Sequence, residues 1–270
     1  MKKAFLLGHP VAHSLSPRLH GFWIQQQNIQ ASYEAIDVSP EDLIDKIQQL
    51  QADGYAGGNV TIPHKEAVYE FIKSHGQLTN KAKQVQAVNT IYFDGNIIHG
   101  DNTDIYGFYN NLEANTNWAG KKAVILGAGG AAKAVIQAVI DKGYTDIVIC
   151  NRNINRAQEL AVNYDNVIVK DWDERSNILK NTDLLVNTTS LGMLGKPELE
   201  IDLSTLPNSA AVTDIVYNPL QTNLLKQAQE CGNKTVDGIG MLLHQAVPGF
   251  KYWFDKDVEV SKSLRDYILQ

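Results

Sequence analysis

Cysteine is scarce in this chain: Cys150 and Cys231 are the only two in 270 residues, with no CxxC spacing and no Cys/His cluster. That speaks against a disulfide framework or a zinc site and leaves two reduced, buried thiols as the expectation. Long apolar runs are missing as well, and nothing approaches the roughly 18 residues of a membrane span. The opening MKKAFLLGHPVAHS is basic and then apolar, but AFLL is too short for the core of a signal peptide and stops at Gly-His-Pro. It reads as a first β-strand. An excess of positive charge is also lacking, since 24 Lys and Arg face 30 Asp and Glu for a net charge of -6. A mildly acidic protein is a poor general binder of nucleic acid or anionic membrane. Any anionic ligand must therefore be held by local positive features. Repeats and low-complexity segments are absent.

What is present has the pattern of an α/β protein. The length exceeds what one core usually serves, so two domains are expected. AFLLG (4–8) reads as a buried strand. SPRLHGFWIQQQ (16–27) reads as a helix capped by Ser16 with Pro17 at its first position. YEAIDV (33–38) is a second strand. SPEDLIDKIQQL (39–50) is a helix capped by Ser39, with Leu43, Ile44, Ile47 and Leu50 on one face. AGGNVTI is a third strand, and Asp94-Gly95 joins AVNTIYF and NIIHGDN as a hairpin. This first domain carries a mixed sheet. NTNWAGKK (115–122) is polar and aperiodic and marks a boundary. A second series follows: strand 122–127, a helix from 130 with Val135, Ile136, Val139 and Ile140 inward, then strands at 146–151, 166–170, 183–187 and 210–217. Such alternation means a doubly wound parallel sheet. The tail from about 239 is helical and aromatic.

Three stretches carry chemistry. In NVTIPHK (59–65), Pro63 is expected to open a helix and put Lys65 in its first turn. That is the unfavourable end of the helix dipole for a cation, so a working role is indicated. GAGGAA (127–132) is a G-x-G-x-x-A fingerprint between a strand and a helix, the setting in which it binds a dinucleotide pyrophosphate. Gly127 makes the tight turn, Gly129 admits the pyrophosphate, and Ala132 lets the helix pack closely, with Ala128, Gly130 and Ala131 lining the loop. CNRNINR (150–156) ends the next strand with no carboxylate for a ribose hydroxyl: Asn151 takes that position, and Arg152 and Arg156 offer guanidinium groups to a 2′-phosphate. This favours NADP. Ser14, Ser16, Asn59, Thr61, Asn89, Asn102, Thr103 and Asp104 stand at strand ends or helix starts. Each is either a cap or part of a site for a small polyhydroxylated ligand.

SLSP, NVTIPHK, AVNT, GDNTD, GAGGAAK, NR…R and DGIGMLLHQA occur in the order seen in shikimate dehydrogenases, over nearly the whole chain. The resemblance implies reversible reduction of 3-dehydroshikimate to shikimate with NADPH, in aromatic amino-acid biosynthesis. It implies Lys65 as catalytic acid/base and Asp104 as its partner. Ser14, Ser16, Asn59, Thr61, Lys65, Asn89, Asp104, Tyr217 and Gln245 become substrate positions, and Ile215 and Gly238 lie beside the nicotinamide. It also implies that the tail returns to the first domain. The expected division is 1–104 plus about 239–270 for substrate and 105–238, Rossmann-like, for NADP. The chain departs from the family at Asn80, usually acidic, and at Asn153, usually threonine. No metal is needed. The expected setting is cytoplasmic, with a small-molecule substrate, no nucleic acid, no membrane, and a homodimer left open. An NAD-dependent quinate/shikimate dehydrogenase and a non-catalytic dinucleotide sensor are the alternatives.

Overall fold

The computed structural model describes residues 1–270. It divides into two compact units: Met1–Gly107 with Leu243–Gln270, and Phe108–Leu242.

The first unit starts with β1 (Lys2–Gly8), α1 (Ser16–Gln26), β2 (Ala31–Asp37), α2 (Leu43–Ala52), β3 (Gly57–Val60) and α3 (Lys65–His75). Then come β4 (Gln77–Leu78), α4 (Asn80–Val85), β5 (Thr90–Asp94), β6 (Ile97–Asp101) and α5 (Asp104–Asn115), the helix through which the chain leaves. The sheet order is β2-β1-β3-β5-β6-β4. β1 runs parallel to β2 and β3, whereas β5 runs antiparallel to β3 and β6. The sheet is therefore mixed, and the Asp94-Gly95 hairpin is its antiparallel corner. Ala4, Phe5, Leu6 and Leu7 are all buried, as a strand covered on both faces requires. Phe5 and Leu7 pack with Leu43, Ile47, Val68, Ile72 and Ile91 in one apolar cluster.

Several local expectations shift. Helix α1 begins at Ser16 rather than being capped by it, because the Ser14 hydroxyl already accepts the Ser16 amide at 3.2 Å. Helix α2 begins at Leu43 rather than at 39–40; Ser39 accepts the Asp42 amide and stabilises a turn ahead of the helix. Pro63 does not open α3. Thr61 to His64 close a turn through a 2.9 Å backbone hydrogen bond, and the helix starts at Lys65. β4 and α4 are too short to show a period.

The second unit is built from β7 (Lys122–Leu126), α6 (Gly130–Lys142), β8 (Asp146–Asn151), α7 (Ile154–Ala161), β9 (Val167–Asp171), β10 (Leu184–Asn187), β11 (Ala211–Asp214), α8 (Asn223–Glu230) and β12 (Lys234–Val236). Every pair in its sheet is parallel, in the order β12-β11-β10-β7-β8-β9. Renumbered from the unit's first strand this is 6-5-4-1-2-3, the Rossmann order. β11 is shorter than expected and leaves Ile215 and Tyr217 beyond its carboxyl end. The chain leaves through α9 (Ile239–Phe254) and ends in α10 (Lys262–Leu269). The division falls at 107 and 242, inside α5 and α9, whereas the sequence marks 104 and 239, where those helices begin.

Trp253 of α9 fixes the returning segment in the first unit. Its indole donates to the Ile91 carbonyl at 2.8 Å. Gly57 makes this approach feasible: a Cβ there would lie 2.2 Å from that carbonyl oxygen and 2.7 Å from the indole nitrogen. No helix is long and apolar enough to cross a membrane. Both cysteines are free; Cys150 is buried, and burial pushes its thiol up to about 12. Cys231 is exposed, against the expectation of two buried thiols, because it follows the last turn of α8 on the solvent side.

Candidate functional site

The first unit gathers its polar residues at the ends of β3, β5 and β6. Lys65 Nζ donates to Asp104 Oδ2 at 2.5 Å, with both side chains mostly buried. Lys65 is the first residue of α3 and Asp104 the first of α5. The carboxylate thus sits where a helix dipole favours it, and it holds a cation that its own helix disfavours. Asn89 Nδ2 donates to the second carboxylate oxygen, Asp104 Oδ1, at 2.8 Å, and also lies 3.4 Å from Gln245 Oε1. Asn59 Nδ2 donates to the Asn89 carbonyl at 3.1 Å, while its Oδ1 accepts from the Tyr33 phenol. Five predicted residues, Asn59, Lys65, Asn89, Asp104 and Gln245, therefore form one hydrogen-bonded network. Ser14, Ser16 and Thr61 belong to the same unit at the carboxyl ends of β1 and β3. Asn102 Oδ1 accepts the Asp104 amide at 3.2 Å, an Asx turn that leads the chain into α5.

Some support of this cluster escaped the sequence. Asp101 accepts from the Thr79 hydroxyl at 2.5 Å, the Asn102 amide at 2.8 Å and the Tyr252 phenol at 3.0 Å. It pins the start of the Asn102–Asp104 segment to α4 and α9. Thr90 and Thr103 bond each other and Asn89. His64 donates from Nε2 to the Val38 carbonyl at 2.9 Å, which fixes the residue ahead of Lys65. Asp101 stands inside GDNTD and could have been found there; Tyr33, Thr79 and Tyr252 carry no local signal.

The second unit presents the glycine loop. Gly127 has φ +107, and a Cβ would meet the Thr188 hydroxyl at 2.6 Å. Gly129 and Gly130 open onto space with no atom within 4 Å of a Cβ. Gly129 is the N-cap of α6 and offers no side-chain cap, so the first amides of the helix, around Gly130 and Ala131, are left for a ligand. Asn151 Oδ1 accepts the Ala128 amide at 3.2 Å and its Nδ2 donates to the Asn153 carbonyl, so this residue ties the glycine loop to the loop after β8. Asn153 caps α7 by accepting the Arg156 amide at 3.2 Å. The departure from threonine therefore keeps the cap. Arg152 and Arg156 are exposed and carry no ion pair. Ile215 and Gly238 are in contact: a Cβ on Gly238 would lie 2.4 Å from the Ile215 carbonyl oxygen. Tyr217 is half-buried, and burial raises its phenol above the ordinary value. Asn80 lies in the first unit as the first residue of α4, behind the Thr79 cap.

Residues 6–91 match the model of the shikimate dehydrogenase substrate binding domain, and residues 111–215 match that of shikimate / quinate 5-dehydrogenase. The NADP(+) shikimate dehydrogenase of Mesorhizobium japonicum is 49% identical over 271 residues, covering 99% of this chain and 96% of the relative. Among solved structures, quinate dehydrogenase from Corynebacterium glutamicum in complex with NAD superposes with a TM-score of 0.91 at 30% identity, over 99% of this chain and 98% of that one. Shikimate 5-dehydrogenase from Thermus thermophilus in complex with NADP(H) and shikimate superposes with a TM-score of 0.88 at 31% identity, over 100% of this chain and 99% of that one. With both family models matched in order and half the residues shared with a full-length relative, the chain belongs to the shikimate dehydrogenase family.

Proposed function

We propose that this chain catalyses the reversible NADPH-dependent reduction of 3-dehydroshikimate to shikimate, with Lys65 as general acid/base. The observation that carries the reading is the Lys65–Asp104 pair at 2.5 Å, closed by Asn89. Reduction of a ketone needs a hydride on carbon and a proton on oxygen, and bound NADPH supplies the hydride. Lys65 gives its ammonium proton to the nascent alkoxide and takes it back in the oxidative direction. Asp104, fixed by Asn89, holds the ammonium in one place and accepts from a substrate hydroxyl. Ser14, Ser16, Asn59, Thr61, Asn89, Tyr217 and Gln245 bind the remaining hydroxyl and carboxylate groups.

Met1–Gly107 with the returning tail is the substrate unit in this reading, and Phe108–Leu242 the NADP unit. The second unit fits a dinucleotide on its own geometry. Gly129 and Gly130 are open, the α6 amides are uncapped, and two unpaired guanidinium groups stand beyond β8. Gly127, Ala128, Gly129, Gly130 and Ala131 hold the pyrophosphate, Asn151, Arg152 and Arg156 the 2′-phosphate end, and Ile215 and Gly238 the nicotinamide. An NAD-dependent quinate enzyme would want a carboxylate where Asn151 stands, and a silent sensor would have no use for a paired Lys65. Its partners are small molecules, and its setting is the cytoplasm. The test follows NADPH absorbance with shikimate and with quinate, each against NADP and NAD. Turnover of shikimate with NADP above the other three pairs is expected. No turnover with any pair would sink the reading.

A further inference from the structure

Asp214 is fully buried at the carboxyl end of β11 and belongs to neither set of residues above. Its carboxylate meets no ion pair. Instead Oδ1 accepts from Asn187 Nδ2 at 2.9 Å and from the Val216 amide at 3.0 Å, and Oδ2 accepts from the Thr222 hydroxyl at 2.8 Å. Thr222 is the N-cap of α8. One carboxylate therefore ties down both ends of the segment from Ile215 to Thr222, the segment that carries Tyr217.

Its neighbour Asn187, also fully buried, spends its whole amide in the same way. Oδ1 accepts from the Thr189 amide at 3.0 Å and the Thr189 hydroxyl at 2.7 Å, and Nδ2 donates to the Leu191 carbonyl at 3.2 Å as well as to Asp214. The Asn187 carbonyl accepts the Ile215 amide at 3.1 Å, and the Asn218 carbonyl accepts the Leu194 amide at 2.9 Å. The two loops beyond β10 and β11 are thus one hydrogen-bonded body hung on Asp214, at the sheet edge where open α/β sheets bind ligands.

We propose that Asp214 is a positioning residue, which sets Tyr217 and Ile215 in register for substrate and nicotinamide by bracketing their loop. The proposal rests on the assignment of those two residues given above. A buried acid without a counter-ion is costly, and burial lifts this carboxyl to about 6 in spite of its three hydrogen bonds. An apolar replacement would avoid that cost but would leave the Val216 amide, the Asn187 amide and the Thr222 hydroxyl without an acceptor. Asparagine would serve the geometry: its oxygen accepts the two N–H groups, and its amide donates to the Thr222 hydroxyl, which can also accept.

The test compares Asp214→Asn, Asp214→Ala, Tyr217→Phe and the Asp214→Ala/Tyr217→Phe double variant at a temperature where circular dichroism shows all of them folded. Wild-type turnover of shikimate with NADP is measured first; without it the assigned reaction itself fails, independently of Asp214. Given that turnover, Asp214→Ala should lower kcat/KM for shikimate by roughly 10²-fold, the scale of an ångström-sized misplacement. NADPH affinity, read by fluorescence titration, should fall far less than kcat/KM, because a shifted Ile215 touches only the nicotinamide end while the glycine loop and both arginines are untouched. Asp214→Asn should restore most of the loss. The double variant should lose much less than the product of the two single losses, since both act through one side chain. Native kcat/KM in Asp214→Ala overturns the inference. So does a strictly multiplicative double variant, and so does an equal loss of NADPH binding, which would mark a merely structural role. Should Asp214→Ala not fold, an Asp214→Asn variant with native stability but a 10²-fold loss would also overturn it, because the geometric role predicts rescue.

Discussion

Lys65 is the residue on which turnover should depend most directly. Lys65→Ala is expected to lower kcat by roughly 10²–10⁴, the usual worth of general acid-base catalysis, while shikimate binding weakens far less. Titration calorimetry with shikimate beside steady-state rates separates the two, and a near-native kcat would move the proton to another donor. Arg152 and Arg156 are assigned to the 2′-phosphate in the proposed reading. A hydrogen bond between charged groups is worth about 1.5–3 kcal/mol, so losing either should cost roughly 10- to 150-fold in kcat/KM with NADP. Exposure of both side chains pulls the figure to the low end. The same variants should barely change kcat/KM with NAD; equal losses would mean that the arginines serve the fold or the pyrophosphate. Asp214 makes a prediction about pH. Its folded value, about 6, lies above the ordinary value of 3.8, and burial is the first cause. The native state then holds a proton that the unfolded chain has released, so stability falls as pH rises from about 4 to about 6. The loss is at most about 3 kcal/mol, and Asp214→Asn should flatten it. Chemical denaturation of both proteins at pH 4, 5, 6 and 7 reads the difference; parallel curves would show that the carboxyl titrates normally.

Among elements, α7 and α9 show what the local sequence controls. Asn153 caps α7 through the Arg156 amide. Asn153→Ala should cost about 1 kcal/mol, and Asn153→Thr should restore it, since both side chains accept at an N-cap. Because this cap orders the turn carrying Arg152 and Arg156, NADP affinity should fall with it in the alanine variant. Helix α9 depends on a contact with no local signal, the Trp253 indole against the Ile91 carbonyl, over the space left by Gly57. Trp253→Ala should destabilise the first unit by about 3–5 kcal/mol, the range for large aromatic truncations in a core. Thermal unfolding followed by circular dichroism checks it, and a loss below about 1 kcal/mol would mean that the helix is held elsewhere.

For the whole molecule, the chain leaves the first unit inside α5 and returns inside α9. The first core is therefore complete only after the second unit has been made. Phe250, Trp253, Leu264 and Ile268 are all buried in the returning segment. A chain ending at Leu242 should lose shikimate turnover and the unfolding transition of the first unit. The remaining transition should still rise with NADPH, by about 2.7 kcal/mol of stability at a ligand concentration of 100 Kd. A truncated chain that still reduces 3-dehydroshikimate would show the return to be dispensable.

The sequence by itself determined the elements whose cause is local. Strand-helix alternation set the parallel sheet, the turn chemistry of Asp94-Gly95 set the hairpin, and glycines at 127 and 129 set the loop before α6. It also determined the chemistry on offer, because Lys65, Asp104 and the arginines are fixed by residue type and spacing. Helix starts moved by a few residues, as at Ser16 and Leu43, since several hydroxyls compete for the same amides and only the folded backbone chooses among them. Tertiary structure alone decided which polar residues serve which site. Asn102 became the acceptor of an Asx turn ahead of α5, Asn151 a brace for the glycine loop, and Asp101 and Asp214 buried anchors, each of the last two joining near neighbours to a partner far away in the chain, Tyr252 for Asp101 and Asn187 for Asp214. A buried carboxylate is tolerated only where donors converge on it, and the donor that completes each set, Tyr252 or Asn187, comes from a separate element that no short stretch of sequence brings beside it.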